Sequence, residues 1–212
     1  MFLKLVLFFI ILFLYYYIYL MFKVNINNEI YEYNEEMTKQ QITNEVNFKL
    51  PFYFTSPHIQ NHNGIHQDMS NNEIEYKYFP RPILEPFVKF FIDSCVFKMK
   101  KKEKSDVYHH LHFRNFYLVK QGHVQFHIIH PKYADNFIVD GEVQNNKNIN
   151  NFIKNNKDFI TIELKKDSVL FVPNYWLVFI ESKSDKTIIE KIQYKSILNE
   201  LCFAYDKFKR KS

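Results

Sequence analysis

The stretch Phe159–Glu181, FITIELKKDSVLFVPNYWLVFIE, places the tightest limit on how this chain can fold. Apolar and β-branched residues form short runs, which are separated by the polar Lys165–Asp167 segment and by Pro173. Short runs of this kind with turn signals between them are typical of antiparallel strands. The stretch therefore predicts a strand, a turn, a second strand, and a Pro-aromatic corner that leads into a third.

Further short apolar runs extend the same pattern over the second half of the chain. Gly122 separates two of them, which predicts a tight hairpin at Gln121-Gly122. Many short strands at this spacing indicate a sandwich or barrel, so the fold class is mainly β. The predicted strands are Phe116–Lys120, Val124–His130, Phe159–Leu164, Val169–Val172, Trp176–Glu181 and Thr187–Gln193.

Two segments have helical rather than strand-like spacing of apolar residues. Leu84–Lys102 is predicted as one helix, and Ser196–Lys209 as a C-terminal helix that closes the domain. Asn145–Asn156 is polar and of low complexity, which is typical of a loop insertion.

Leu5–Phe22 is an unbroken run of 18 apolar or aromatic residues between Lys4 and Lys23. As a helix, a run of that length crosses roughly 30 Å of hydrocarbon at about 1.5 Å per residue. No small-residue cleavage site of a signal peptide follows it. Residues 2–22 are therefore predicted to form an uncleaved, single-pass transmembrane helix. Positive residues balance on its two sides, so the side of the membrane that the domain occupies stays open.

The chain then divides into three parts. Residues 1–23 form the predicted membrane anchor, and residues 24–80, which are polar and rich in Asn, form a stalk and wrapping segment. Residues 81–212 form the β domain with its C-terminal helix. The abundance of Asn, Lys, Ile, Tyr and Phe is what an AT-rich genome encodes, such as that of a large DNA virus or a low-GC protist.

Charge and cysteine content limit the classes of partner and compartment. The formal net charge is +5, and the lysines of Lys98–Lys104 and Lys207–Lys211 are expected to be solvated. Aromatic residues do not interleave with these lysines, so we expect no nucleic-acid partner, whereas a protein partner is compatible with the sequence. Cys95 and Cys202 have no zinc-ligand spacing and are expected to be buried free thiols, although a disulfide in an oxidising lumen stays open.

Leu164-Lys165, Leu170-Phe171-Val172-Pro173 and Trp176 match a pattern of the form L-K-x-G-D-x-L-F-I-P-x-G-W-W-H. The segment around Gly122, GHVQFHIIHP, matches a second pattern, a G-x-K-x-F hairpin followed by a short strand and Pro. Together they resemble the Jumonji-like cupins over about Tyr108–Gln193. The resemblance implies a double-stranded β-helix, the cupin or jelly-roll barrel, with flanking helices.

The resemblance also implies where an Fe(II)/2-oxoglutarate oxygenase would carry its site. The family's H-x-D/E ligands fall at His109 and Leu111, and its second histidine falls at Val178. The lysine that holds the 2-oxoglutarate carboxylate falls at Val124. Leu and Val offer neither a lone pair nor a charge, so neither iron nor 2-oxoglutarate is expected to bind. Leu111, Val124 and Val178 are expected to face an apolar barrel centre.

A register shifted by one residue gives an alternative site. His110 and His112 would then form the H-x-H of other cupins and be a weak metal site. Because a one-residue shift exchanges the two faces of a strand, the two registers can be told apart. The glutamate that this register also needs is missing near Phe116 and Tyr117.

The sequence therefore indicates a membrane-anchored, cupin-like binding or structural module whose enzymatic status is uncertain, with non-catalytic the favoured interpretation. The alternative is an Fe(II)- and 2-oxoglutarate-dependent Jumonji-like oxygenase (hydroxylase) with atypical ligands. An unrelated β-rich protein is a third hypothesis, which a different sheet topology would reveal.

Overall fold

The computed structural model describes residues 2–56, 81–86, 91–139, 142–143 and 159–196. Its helices are α1 (Phe2–Phe22), α2 (Lys39–Phe48), α3 (Arg81–Leu84) and a 3-10 helix (Pro131–Asn136). Its strands are β1 (Tyr31–Tyr33), β2 (Phe52–Thr55), β3 (Phe91–Met99), β4 (Tyr108–His109), β5 (Arg114–Gln121), β6 (His123–Ile129), β7 (Ile138–Val139), β8 (Glu142–Val143), β9 (Phe159–Lys165), β10 (Ser168–Val172), β11 (Leu177–Ser182) and β12 (Thr187–Lys195).

Two large sheets form the body of the domain, and β7 pairs with β8 in a separate two-stranded sheet. The larger has the strand order β1-β2-β10-β5-β12-β3, and the smaller has the order β4-β11-β6-β9. Strand β3 pairs with β12, β4 with β11, β5 with β10, and β6 with β9, all antiparallel. This nesting of first strand with last and second with second-last is the wiring of a jelly roll, the cupin architecture. The predicted mainly β, double-stranded β-helix is confirmed, and the unrelated topology is not observed.

The predicted helix over Leu84–Lys102 is wrong. Helix α3 (Arg81–Leu84) overlaps the predicted range at Leu84, and Phe91–Met99 forms the nine-residue strand β3. Strand β3 pairs with β12 from Phe91 opposite Lys195 to Met99 opposite Thr187. The helical spacing of Phe91, Cys95 and Met99 is thus overridden by a ladder to a distant strand. Cys95 is an exposed free thiol, which corrects its expected burial. The predicted Ser196–Lys209 helix beyond its first residue, the Asn145–Asn156 loop and Cys202 lie outside the described residues.

Three of the residues with positive φ in the connections between the two sheets lie at turns that the sequence predicted. Gly122 (φ 89°) joins β5 to β6, and these strands lie in different sheets, so the predicted turn is present but is not a paired hairpin. Asp167 (φ 72°) turns β9 into β10, and Tyr175 (φ 70°) turns the corner before β11. The resembling pattern has glycine at both of the latter positions. The left-handed conformations are therefore kept here by residues that adopt them at a cost.

The segment predicted as a stalk and wrapping segment contributes two strands to the larger sheet. Strand β2 pairs with β10 and β1 pairs with β2, so both extend the larger sheet. A capping box begins α2, since the Thr38 hydroxyl accepts from the Gln41 N–H while the Gln41 side chain accepts from the Thr38 N–H. Ile42 and Val46 of α2 pack on the outer face of that sheet. The folded unit thus begins well before the predicted boundary at residue 81.

Helix α1 is continuous from Phe2 to Phe22, as predicted. Its Phe2–Leu20 segment has a mean hydropathy of 2.2 and none of it is buried against the domain. It is long and apolar enough to span a membrane, and a signal sequence near the N-terminus meets the same criteria.

The connection between α1 and the barrel is short and hydrogen-bonded. The Asn25 side-chain amide donates to the Phe48 carbonyl at 2.8 Å, and the His130 Nε2 lies 2.8 Å from the Asn25 carbonyl. Because His130 Nδ1 accepts from the Lys132 N–H, Nε2 must carry the proton and donate. The Phe22 ring lies 6.4 Å from that of Tyr175. Helix α1 therefore joins the barrel at the end where β6 stops and β11 starts.

We expect Gly122→Ala to lower the free energy of unfolding by about 1–3 kcal/mol or more. The positive φ of Gly122 is unfavourable for alanine, and an added Cβ would clash with neighbouring atoms. A Cβ there would lie 2.5 Å from the Lys186 carbonyl oxygen and 2.8 Å from Thr187 Oγ1. Urea denaturation would measure the loss. Gln121→Ala, next to it and exposed, is the control, and an equal effect in both variants would contradict the steric account.

Candidate functional site

The space between the two sheets is filled by apolar side chains. Val124 on β6 and Val178 on β11 are fully buried there, in one cluster with Phe126, Trp176 and Ile180. As predicted, both valines face the barrel interior. The cluster comprises Leu50, Met99, Tyr117, Val119, Val124, Phe126, Ile128, Leu164, Leu170, Val172, Trp176, Val178, Ile180 and Ile189, and is called the inner cluster below.

The expectation that Leu111 joins the two valines is wrong. Leu111 lies in the irregular segment between β4 and β5, is half-buried, and is not part of the inner cluster. His109 is also displaced from the predicted position, because it pairs with Leu177 in the β4–β11 ladder. Residues directly opposite each other share a face, and Leu177 packs in a separate cluster outside the smaller sheet. His109 is therefore directed away from the interior.

His110 is the histidine of this segment that lies inside the barrel. It is fully buried; its Nε2 lies 2.8 Å from the Tyr117 hydroxyl and its Nδ1 lies 3.1 Å from the Trp176 carbonyl. Since a carbonyl can only accept, Nδ1 must carry the proton, and Nε2 accepts from Tyr117. Burial, with a smaller contribution from the charge of Lys191, holds the pKa of His110 well below its ordinary value. His110 is thus a neutral imidazole with both nitrogens engaged.

Lys191 lies beside this histidine, on the inner face of β12. Its Nζ is 4.7 Å from the ring centroid of Tyr108 and 5.9 Å from that of Tyr117, within the range of cation–π attraction. Burial lowers the pKa of Lys191, and nearby Cys95 and Asp93 oppose that shift. The two aromatic faces thus hold a largely buried cation at this end of the barrel.

His112 and two amides complete the polar end. His112 is half-buried, and burial followed by the charges of Lys195 and Lys191 lowers its pKa to about 4. The buried Asn115 amide donates to the carbonyls of His112 and Val172, at 2.9 and 3.1 Å. The Gln193 amide donates to Asn115 Oδ1 at 2.9 Å. These bonds tie the irregular segment to β5, β10 and β12.

The donor set does not fit the iron and 2-oxoglutarate site that the resemblance implies. Val178 and Val124 occupy the interior positions where the resemblance places a metal-binding histidine and the cosubstrate lysine. Both ring nitrogens of His110 are hydrogen-bonded, so this histidine could bind a metal only by giving up one of those bonds. The parts of the chain that the structure describes bring together no group of three or more His, Cys, Asp or Glu side chains able to hold a metal ion. The predicted alternative of His110 with His112 therefore has no third ligand among these residues.

Lys191 and Tyr117 were not predicted from the sequence as residues of the site. A signal for Lys191 was present, since a lysine interrupts the apolar strand Ile188–Ile192, where charge on an inner face needs a partner. Tyr117 gave no such signal, because a tyrosine in an apolar run fits any buried strand.

The chain matches no protein-family model and no curated protein. Among solved structures, it is similar to RmlC from Streptococcus suis in complex with dTDP-D-xylose, at 14% identity over 52% of this chain and 47% of that one, with a TM-score of 0.32. It is also similar to the cupin domain of Schizosaccharomyces pombe Cnp3, at 13% identity over 53% of this chain and 62% of that one, with a TM-score of 0.36.

A third similar structure is BH2720 from Bacillus halodurans, at 9% identity over 50% of this chain and 63% of that one, with a TM-score of 0.34. The chain thus spans less than two thirds of the length of each of these structures. Similarities at these TM-scores support no conclusion about this chain. The assignment of its fold is based on the strand pairing described above.

We expect Tyr117→Phe to lower the free energy of unfolding by about 1–3 kcal/mol, because it leaves His110 Nε2 buried without a donor. Chemical denaturation would measure the change. The matched control is Tyr31→Phe, whose hydroxyl is exposed and 3.5 Å from Glu29, and which we expect to change stability by less than about 0.5 kcal/mol. A Tyr117 variant as stable as the wild type would refute the assigned hydrogen bond.

Proposed function

We propose that this protein is a membrane-anchored, non-catalytic binding or structural module built on a degenerate Jumonji-like cupin. The observation that carries the proposal is the burial of Val124 and Val178 in the inner cluster, at the family positions of the cosubstrate lysine and a metal-binding histidine. Fully burying an aliphatic side chain stabilises a fold by roughly 1.5–3 kcal/mol. These two positions therefore serve the packing of the barrel.

The state of His110 supports the same proposal. Facial iron sites use neutral imidazoles with a free lone pair that points to the metal. The lone pair of His110 accepts from Tyr117, and its N–H donates to Trp176. This histidine thus links β5 to the Pro173–Trp176 corner and has the role of a structural crosslink.

Anchoring through α1 is the second part of the proposal. The helix exposes apolar side chains along its whole length, which in water would be strongly unfavourable. Insertion in a bilayer removes that cost, and the aromatic residues Tyr15, Tyr16 and Tyr19 suit the headgroup level. The membrane is therefore the first partner that we propose, with a protein partner on the barrel. Membership of a large DNA virus stays a prediction from composition.

The rival function is an Fe(II)/2-oxoglutarate-dependent oxygenase with atypical ligands. One observation favours it: Lys191 is a buried cation at the barrel end that holds His110 and His112. A cation so placed is able to pair with an oxo-acid carboxylate. It falls short because the described residues bring together no group of three or more His, Cys, Asp or Glu side chains able to hold a metal ion.

We expect the full-length protein, purified anaerobically in detergent, to retain no stoichiometric iron and to release no succinate from 2-oxoglutarate with added Fe(II). Elemental analysis and a succinate assay are the measurements. His110→Ala and Lys191→Met serve as comparison variants. Iron at one equivalent, or turnover that either variant abolishes, would replace this proposal with the oxygenase.

We expect the full-length protein to stay with membranes during alkaline carbonate extraction. The matched control is Leu12→Lys combined with Phe13→Lys, because each charge at the centre of a span costs about 2.5–3.5 kcal/mol. The doubly charged variant should move to the soluble fraction. Release of the wild type would show that α1 is not an anchor.

A further inference from the structure

Two cationic side chains near the end of the barrel that α1 joins are almost completely buried. Lys49, the C-cap residue of α2, is 3% exposed, and Arg114, the first residue of β5, is 4% exposed. Long charged side chains are rarely buried this fully unless they are paired. Their surroundings therefore need an explanation.

The hydrogen bonds of Arg114 account for only part of its guanidinium. One Nη donates to the Leu84 carbonyl at 3.2 Å, and the group lies 5.9 Å from the Phe113 ring centroid. Its Nε is buried and has no acceptor within residues 2–56, 81–86, 91–139, 142–143 and 159–196. A guanidinium has five N–H donors in a planar fork, so most of the donors of Arg114 are left for another acceptor.

The charges that act on Lys49 are themselves positive. Burial, then Arg114 and then Lys23, lower the pKa of Lys49 to about 7. The carboxyl groups of the described residues do not contribute to this shift or to that of Arg114. The negative end of the α2 dipole, roughly half an elementary charge, is too small to balance two or three cations.

Removing cations from water is costly unless an anion comes with them. The arrangement of Lys23, Lys49 and Arg114 therefore fits a binding site whose balancing anion is a ligand and not a side chain. Phosphate suits it best among common anions, because its oxygens accept from an Arg fork at several points while Lys supplies point charge.

The position of Lys23 indicates where the phosphate would come from. Its N–H donates to the Tyr19 carbonyl at 2.9 Å and so ends α1. With α1 across a bilayer, the first charge after the apolar span lies at the depth of lipid headgroups. The connection through Asn25 to Phe48 holds the residue before Lys49 close to that level.

We propose that Lys23, Lys49 and Arg114 form a binding site for a phosphate group, filled by the headgroup of an anionic lipid. The lipid as source rests on the anchoring proposed above, whereas the phosphate chemistry does not. Phosphate bound there would neutralise the buried cations and fasten the barrel to the surface of the membrane.

The test is thermal unfolding of the full-length protein in two settings. In detergent, inorganic phosphate is compared with chloride at equal ionic strength. In vesicles, phosphatidylcholine alone is compared with phosphatidylcholine containing phosphatidic acid. We expect the wild type to unfold at a higher temperature with inorganic phosphate and with phosphatidic acid. Lys49→Met should lose both shifts, and in chloride it should be at least as stable as the wild type, because an unbalanced charge is gone.

Two further variants keep the result interpretable. Lys165→Met, exposed at the opposite end of the barrel, should respond like the wild type. Lys23→Met, which is not in the core, should show a reduced shift even if the Lys49 variant does not fold. A shift with phosphatidic acid alone would assign the lipid as the source, and a shift with inorganic phosphate alone would assign a soluble phosphate.

A wild type that responds to neither phosphate source would overturn the site, as would a Lys49 variant with an undiminished response. Failure of anchoring gives a different pattern, because the detergent comparison needs no bilayer. If carbonate released the protein but inorganic phosphate still stabilised it, the phosphate site would be supported and the membrane anchor would be contradicted.

Discussion

The layer of side chains between the two sheets is the constraint on which the rest of the structure depends. Each sheet must bury one face against the other, and both also carry apolar residues on their outer faces. A strand buried on both faces reads as a continuous apolar run, as Val169–Val172 and Leu177–Ile180 do. Because the strands are apolar on both faces, α2 and the 3-10 helix pack against the outer faces of the sheets.

The sequence predicted the strands best where this double burial was strongest. The six expected strands are all present, and Pro173 lies at the expected corner, because continuous apolar runs and turn residues act locally. Strand β3 was missed since its partner β12 follows about a hundred residues later, and local spacing favoured a helix. Tyr31–Tyr33 and Phe52–Thr55 were missed because three or four residues between polar neighbours are too few to show a period.

The site was harder to predict than the fold for a specific geometric reason. Counting back from Gly122 assumes an unbroken strand, but the chain is irregular between His109 and Arg114. The His110 N–H donates to the Trp176 carbonyl and bends the segment across the barrel end. His110 therefore faces inward in place of His109, which is the orientation that the alternative register, shifted by one residue, assumed for this histidine. Val124 and Val178 were placed correctly because they lie on regular strands.

The two hydrogen bonds of Asn25 affect how other molecules would encounter this protein. Only a few residues separate α1 from β1, and Asn25 is bonded to α2 on one side and to His130 on the other. A domain joined in this way to a helix in a bilayer would have little freedom to tumble. Neighbours that diffuse in the same plane would encounter it always in one pose, so less rotational entropy would be lost on contact. Weak lateral contacts between neighbouring proteins would then suffice for assembly, because the membrane would already hold them in one orientation.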